Sequence, residues 1–160
     1  MDKGELIDAA IKADSIPIRT APSLYPKEFA DRVAGRVKRE LSKAFGLTNI
    51  TINLTTMAPG SASALRHSHK ANDEFVYVLK GNPLLRTNNG ETRMSPGMCA
   101  GFKAGNGNAH HFINDTDEEV LYIEAGDNSA GDDVAFPDDD LKAEMINGKW
   151  AFLHRDGRPY

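Results

Sequence analysis

A series of short β-type segments, separated by turn signals, restricts the fold of this chain more than any other pattern. Apolar and polar residues alternate through residues 50–55, and residues 75–79 are β-branched, aromatic or aliphatic. Asn88-Asn89-Gly90 is a strong hairpin signal. Short strands at regular spacing are typical of an antiparallel sandwich or barrel. The sequence therefore predicts an all-β fold.

The two ends of the chain differ from this central series. Residues 1–46 are predicted to form an N-terminal arm and packing segment, with a short helix possible at 6–11, and residues 47–160 the barrel with a C-terminal extension, in one domain overall. An apolar residue at every fourth position predicts one helical stripe over 29–45, although Gly35 also allows a helix followed by a strand. Asn147-Gly148 predicts the turn of a closing hairpin. The acidic segments 132–133 and 138–140 are interpreted as a solvated loop.

Composition limits the partners and the location of the protein. The 160 residues suit one domain, and the net charge of −4 gives no reason to expect nucleic acid. The short basic run 36–39 is balanced by Glu40. No apolar segment approaches the roughly 20 residues of a membrane span, and the N-terminus lacks signal-peptide features. We therefore expect a cytoplasmic protein that binds neither nucleic acid nor membrane.

The candidate functional residues begin with His67-Ser68-His69, followed by Glu74 and, further along the chain, His110. Two histidines separated by one residue on a strand point to the same face. Imidazole nitrogens and one carboxylate oxygen, with coordination positions left over, suit Fe(II), Mn, Ni or Zn. The spacing therefore predicts a metal site, provided that these side chains converge.

These motifs resemble those of the cupin family. The first cupin motif is matched by Gly60, His67-Ser68-His69, Glu74 and Gly81, with Gly60 one residue further from His67 than in the family pattern. The second is matched by His110 and Asn114, although Lys103-Ala104-Gly105 replaces its Pro-x-Gly start. The resemblance covers residues from about 22 to the C-terminus. Over this range the sequence is similar to single-domain bacterial cupins. It implies an antiparallel double-stranded β-helix, which is a jelly-roll barrel.

The resemblance also implies a set of site residues. His67, His69, Glu74 and His110 would bind one divalent transition metal per chain and leave two coordination positions free. His111 should point to the opposite face of its strand, unless a bulge exchanges the two histidines. Asn114 either hydrogen-bonds the backbone near the site or holds the second nitrogen of a ligand histidine, or it is a turn residue.

Strand alternation predicts the pocket around this metal. Val76 and Val78 would share the face of Glu74, and Phe112 would share the face of His110 and Asn114. The wall would then be mainly apolar, and the sequence shows no arginine pair suited to a phosphate. Such a pocket suits a small organic ligand that chelates through oxygen.

Two functions remain open at this stage. The first is a metal-dependent dioxygenase, decarboxylase or isomerase acting on a small oxygen-bearing molecule, with Tyr77, Tyr122 and Glu124 as unplaced acid-base candidates. The second is a non-catalytic module that binds a small molecule or sugar. A homodimer is expected in either case, with the N-terminal arm and the 29–45 stripe offering apolar surface.

Overall fold

The structure, a computed structural model, describes residues 8–160. Two short α-helices precede and follow the first strand, and twelve strands make up most of the fold. The helices are α1 (Lys27–Ala30) and α2 (Leu41–Ala44). The strands are β1 (Arg36–Glu40), β2 (Ile50–Met57), β3 (Ser68–His69), β4 (Glu74–Lys80), β5 (Leu84–Thr87), β6 (Gly90–Arg93), β7 (Cys99–Phe102), β8 (His111–Ile113), β9 (Val120–Asp127), β10 (Asp133–Phe136), β11 (Leu141–Ile146) and β12 (Lys149–Leu153).

The strands form three antiparallel sheets that build two layers. One layer is a five-stranded sheet in the order β1-β2-β9-β4-β7. The other combines a four-stranded sheet, β12-β11-β10-β3, with a three-stranded sheet, β6-β5-β8. A bridge between His67 and His110 joins these two sheets where β3 and β8 begin. This arrangement is a jelly-roll barrel, so the all-β prediction is confirmed.

Two apolar clusters stabilise the layers by removing hydrophobic surface from water. The first packs the five-stranded sheet against the three-stranded sheet and contains Met57, Val76, Val78, Leu85, Met94, Phe112, Val120 and Tyr122. The second lies on the four-stranded sheet and contains Leu65, Val134, Phe136, Leu141 and Ala143, with Tyr25, Phe29, Trp150 and Phe152 packed against it. Between the two clusters, the five-stranded and four-stranded sheets enclose a cavity.

The prediction of one helical stripe over 29–45 is wrong, and the alternative of a helix followed by a strand is correct. Helix α1 ends at Ala30, and a 3-10 turn follows it to Val33. Strand β1 then pairs with β2. The chain changes direction at Gly35, whose φ of +83° is unfavourable for residues that carry a side chain. An added Cβ at Gly35 would also lie 3.1 Å from the Ser61 Cβ. Strand β1 therefore forms an edge of the barrel, although it lies in the segment predicted as arm.

Ahead of α1, residues 8–26 contain one regular element, a 3-10 turn at Ala13–Ser15. The Arg19 amide donates a 2.8 Å hydrogen bond to the Lys38 carbonyl oxygen, which fastens the arm to the sheet edge. The predicted short helix at 6–11 falls partly on residues 6 and 7, which lie outside the described residues. Within residues 8–160, no helix is long and apolar enough to cross a membrane.

The C-terminal hairpin forms as expected from Asn147-Gly148. Asn147 and Gly148 both have positive φ, 51° and 75°, as a type I′ turn requires. The interpretation of the acidic segments as a solvated loop is wrong at Asp132 and Asp133. Asp133 begins strand β10, and the Asp132 side chain is only 1% exposed.

Candidate metal centre and cavity

Three strand ends bring the four candidate ligands together. His67 and His110 lie opposite each other and exchange backbone hydrogen bonds of 3.1 and 2.8 Å. His69 lies on β3, paired with Val134 of β10. Glu74 is the first residue of β4 and enters from the other layer, between Phe102 and Gly126. The jelly roll therefore places residues that are 43 positions apart in sequence within one cluster.

All three histidines present Nε2 to the Glu74 carboxylate. The His110 Nε2 lies 3.1 Å from Oε2 and the His67 Nε2 lies 3.5 Å from the same oxygen. The His69 Nε2 lies 3.5 Å from Oε1. The ligating atoms of His67, His69 and Glu74 all fall within 4.8 Å of one another, and His110 joins this group through its contact with Glu74.

Hydrogen bonds on the opposite ring nitrogens orient two of these histidines. The Nδ1 of His67 lies 2.8 Å from the Leu65 carbonyl oxygen. The Nδ1 of His69 lies 2.5 Å from the Asp132 carboxylate, whose other oxygen accepts a hydrogen bond from the Ala71 amide. Because a carbonyl or carboxylate oxygen accepts only, each Nδ1 donates, and the lone pair of a neutral ring is then on Nε2. His110 is held by stacking on Phe102, with ring centroids 3.4 Å apart.

The charges of the cluster shift the pKa values of its members. Burial opposes ionisation of Glu74, but the close contacts with the His110, His67 and His69 rings outweigh it and keep the pKa of Glu74 well below the usual range. Burial likewise opposes protonation of His69, but Glu74 and Asp132 outweigh it and raise the pKa of His69 to about 9. Burial is the main reason why the pKa of His110 is lowered. Without a metal, therefore, His69 is the group that holds a proton against Glu74.

The donor set fits a divalent transition metal. With both rings neutral, the Nε2 lone pairs of His67 and His69 would face the Glu74 carboxylate across a small space, and such acceptors repel unless a cation lies between them. The Glu74 Oε2 is buried and accepts no well-directed hydrogen bond. Three imidazoles with one carboxylate suit Fe, Mn, Ni or Zn, and four protein ligands leave two positions of an octahedral ion open.

The remaining sequence-predicted residues lie around the cluster in three different settings. Val76 and Phe112 line the cavity, as expected from strand alternation. Val78 is completely buried in the first apolar cluster instead and does not reach the cavity. His111 points away from the metal cluster, with its Nδ1 3.1 Å from the Ala64 carbonyl oxygen.

Asn114 is buried and organises the backbone rather than contacting a histidine. Its side-chain amide donates hydrogen bonds of 3.0 Å to the Met57 carbonyl oxygen and 2.8 Å to that of Glu118. Its Oδ1 accepts from the Thr116 hydroxyl. Asn114 therefore binds backbone carbonyl groups and stabilises a turn, and within residues 8–160 it has no hydrogen bond to a histidine.

The cavity beside the cluster has a volume of about 650 Å³ and two chemically different walls. The four-stranded sheet supplies an apolar wall that includes Val134, Phe136, Trp150 and Phe152. The five-stranded sheet supplies a charged wall, for which we use the name polar strip: Arg36, Lys38, Glu40, Asn53 and Glu124. The prediction of a mainly apolar pocket is therefore wrong for one of its two walls.

Strand pairing explains the polar strip. Glu40 lies opposite Asn53, Asn53 opposite Glu124, and Glu124 opposite Val76, so one row crosses four strands on the inner face. The Lys38 Nζ contacts the Oε1 of Glu124, and the Asn53 side-chain amide donates a 3.0 Å hydrogen bond to the same oxygen. Both donors bind Oε1, which leaves Oε2 without a hydrogen-bond partner among the described residues.

The structure separates the three acid-base candidates. Tyr77 lies on the outer face of β4 and is 40% exposed. Tyr122 points inward but is buried in the first apolar cluster, and this burial raises its pKa well above the usual value. Glu124 alone of the three lines the cavity.

Sequence reasoning missed Asp132 and the basic part of the polar strip. Asp132 is 63 residues from His69, and nothing in the acidic run distinguishes it from its exposed neighbour Asp133. Arg36, Lys38 and Glu40 have the two-residue period of a strand, which would have revealed a charged face. That period was hidden by the competing four-residue spacing of the apolar positions.

Comparison with known proteins agrees with this fold and site. The family model described as "Cupin domain" matches residues 53–126, which include His67, His69, Glu74 and His110. A crystal structure from Silicibacter pomeroyi, described as a sugar phosphate isomerase of the cupin superfamily, is 35% identical with a TM-score of 0.89, over 94% of this chain and 96% of that one.

Two further structures are similar at lower identity. A proposed sugar phosphate isomerase from Acidithiobacillus ferrooxidans is 27% identical with a TM-score of 0.71, over 86% of this chain and 95% of that one. A predicted oxalate decarboxylase from Thermotoga maritima is 14% identical with a TM-score of 0.59, over 75% of this chain and 99% of that one, and shares the fold. No curated protein matches the sequence.

Proposed function

Because the chain belongs to the cupin superfamily, we propose that it is a metal-dependent isomerase acting on a small phosphorylated sugar. The observation that carries the proposal is that the four candidate metal ligands and the free carboxylate oxygen of Glu124 line the same cavity. Similarity over nearly the whole length to a protein described as a sugar phosphate isomerase supports this substrate class.

His67, His69, Glu74 and His110 would hold the metal. When bound, a divalent ion would supply Lewis-acid polarisation of a substrate carbonyl oxygen. Asp132 and the Leu65 carbonyl oxygen keep His69 and His67 in the orientation that ligation needs. The four-stranded sheet lines the opposite side of the cavity with apolar side chains, against which the carbon skeleton of a substrate could pack.

Glu124 is suited to move the proton. Its Oε2 would accept the proton from the carbon next to the carbonyl group, and the C–H electron pair would form the C=C bond of an enediol, while the carbonyl oxygen takes the proton of the neighbouring hydroxyl group. Return of the proton from Glu124 to the former carbonyl carbon leaves the neighbouring oxygen as the new carbonyl oxygen, so the carbonyl moves by one position without net oxidation. Lys38 and Asn53 hold Glu124 for both transfers.

The test is aldose–ketose interconversion of three- to six-carbon sugar phosphates in D₂O, followed by NMR with Mn²⁺, Fe²⁺, Ni²⁺ or Zn²⁺ added. Glu124→Gln should retain metal and lower turnover by about 10²–10⁴-fold. Glu144→Gln is the matched control, because Glu144 also pairs with a lysine, Lys142, but lies on β11 away from the cavity lining. Sugar phosphates that bind without turnover or deuterium uptake would identify a non-catalytic binding module instead.

A further inference from the structure

Arg36 is a cation on the cavity wall that has no carboxylate partner among residues 8–160. Its one described hydrogen bond runs from Nη1 to the Ser63 carbonyl oxygen. The other cations of this wall are compensated, since Lys38 contacts Glu124 and the Arg19 Nε lies 3.8 Å from Glu40. A partly buried guanidinium with unused donors is costly unless an anion or water satisfies it.

The surroundings of Arg36 form a basic recess that continues from the cavity. Arg19, Ser23, Arg36 and Lys38 line both the main cavity and an adjoining recess of about 200 Å³. Three cations, Arg19, Arg36 and Lys38, face two carboxylates, Glu40 and Glu124, so this part of the wall has a net charge of +1. The local charge is thus opposite in sign to that of the chain as a whole, −4.

Tyr25 lines the same cavity as Arg36 and Glu74. Its ring packs edge-on against Phe136 and Phe152, with centroids 5.8 and 5.6 Å away, so its position is fixed. Burial raises the pKa of Tyr25 despite the nearby Arg36 charge, and the Glu74 charge acts on the same hydroxyl. The hydroxyl therefore keeps its proton at neutral pH and can donate to an anion. Arg36, Tyr25 and Glu74 thus line one cavity of about 650 Å³.

We propose that Arg36, assisted by Arg19, binds the phosphoryl group of the substrate, while the sugar carbonyl faces Glu74 and its three histidines. The planar guanidinium binds two phosphoryl oxygens at once, which fixes the orientation of the ligand. The identity of the ligand as a sugar phosphate rests on the proposed function, whereas anion binding at Arg36 does not. This site is the arginine pair that was not apparent in the sequence.

The experiment compares two arginines of strand β1 that face opposite ways. Arg36→Gln removes the guanidinium from the cavity. Arg39→Gln is the control, because Arg39 also donates from Nη1 to one backbone carbonyl, that of Ile16, and does not line the cavity. Calorimetry and melting temperature are measured on metal-loaded protein with inorganic phosphate, with phosphorylated sugars and with the same sugars lacking phosphate.

Arg36→Gln should weaken phosphate and sugar phosphate binding at least about tenfold, and Arg39→Gln should leave both unchanged. Phosphorylated sugars should bind wild type more tightly than their unphosphorylated forms. If Arg36→Gln does not fold, Arg36→Lys retains the charge without the planar fork and should bind with intermediate affinity, and Arg19→Gln removes the assisting guanidinium without changing a barrel strand. Equal phosphate affinity in wild type and in every folded Arg36 and Arg19 variant would overturn the proposal. Arginine-dependent phosphate binding without turnover would contradict only the isomerase function.

Discussion

Replacing Asp132 with asparagine changes one atom behind His69 and should disable the metal site without touching a ligand. In wild type, one Asp132 oxygen accepts from the Ala71 amide and the other from the His69 Nδ1. Asparagine has only one acceptor for these two donors. If its oxygen stays with Ala71, its NH₂ group faces Nδ1, and the His69 proton must move to Nε2, where it blocks ligation. If the amide is flipped, its NH₂ group faces the Ala71 N–H.

The expected loss of metal affinity depends on pH, and the structure gives the direction of this dependence. Loss of such a supporting hydrogen bond typically lowers metal affinity 10–100-fold. In wild type, the metal must also displace the proton of His69, whose pKa is raised to about 9. At pH 7, two units below that pKa, this competition weakens wild-type binding by about 100-fold, or about 2.7 kcal/mol. Asp132→Asn lowers the raised pKa of His69, so competition from the proton weakens metal binding less in the variant than in wild type at pH 7. The loss of metal affinity relative to wild type should therefore be larger at pH 9 than at pH 7.

The assay is calorimetric titration of metal-free protein with Mn²⁺ under argon at pH 7 and pH 9. Asp133→Asn is the matched control, because Asp133 is the next residue, is more exposed and contacts Lys70 rather than a histidine. Its affinity should equal that of wild type at both pH values. The reasoning is refuted if Asp132→Asn binds Mn²⁺ as tightly as Asp133→Asn at pH 9. A wild-type affinity that does not rise between pH 7 and pH 9 would contradict the raised pKa of His69.

Three further outcomes are expected. Metal analysis should find one ion per chain in wild type and in His111→Ala but a severe loss in His69→Ala; equal losses would show that the third histidine is assigned incorrectly. A small bidentate oxygen chelator should raise the melting temperature of metal-loaded protein without removing the metal, and stripping of the ion would argue against two open coordination positions. Light scattering should show a dimer at micromolar concentration, and Tyr77→Asp, on the outer face of β4, should give monomers; a monomeric wild type would exclude the dimer.

The all-β fold and the shared strand face of His67 and His69 could be predicted because both depend on local sequence. Turn signals such as Asn147-Gly148 act through backbone conformation at their own positions. The spacing of His67 and His69 places both on one strand face whatever surrounds them. Gly81 ends the first motif, and its position requires glycine. Its φ is +79°, and an added Cβ would lie 2.8 Å from the Glu119 carbonyl oxygen.

Features that depend on pairing between distant segments could not be predicted. The contact of Asp132 with His69 requires β10 to lie beside β3, and the two residues are 63 positions apart. The role of Arg36 depends on Gly35 ending the helical segment, which the apolar spacing of 29–45 does not reveal. Hydrophobic periodicity indicates that a strand has two different faces, but strand order decides what each face meets.

The five-stranded sheet illustrates how strand order decides what each strand face contacts. In β2, the polar residues Asn53 and Thr55 point inward and are 8% and 0% exposed, whereas Ile50 is 39% exposed. In β4, Phe75 and Tyr77 lie outward and are 44% and 40% exposed. The usual apolar-inside rule is therefore partly reversed in this sheet.

The reversal makes one cavity wall polar, and it also leaves aromatic side chains on the outer face. A contiguous apolar outer face favours association. The polar cavity and the expected dimer thus follow from one feature of the sequence, and the dimer surface should be this sheet rather than the 29–45 segment.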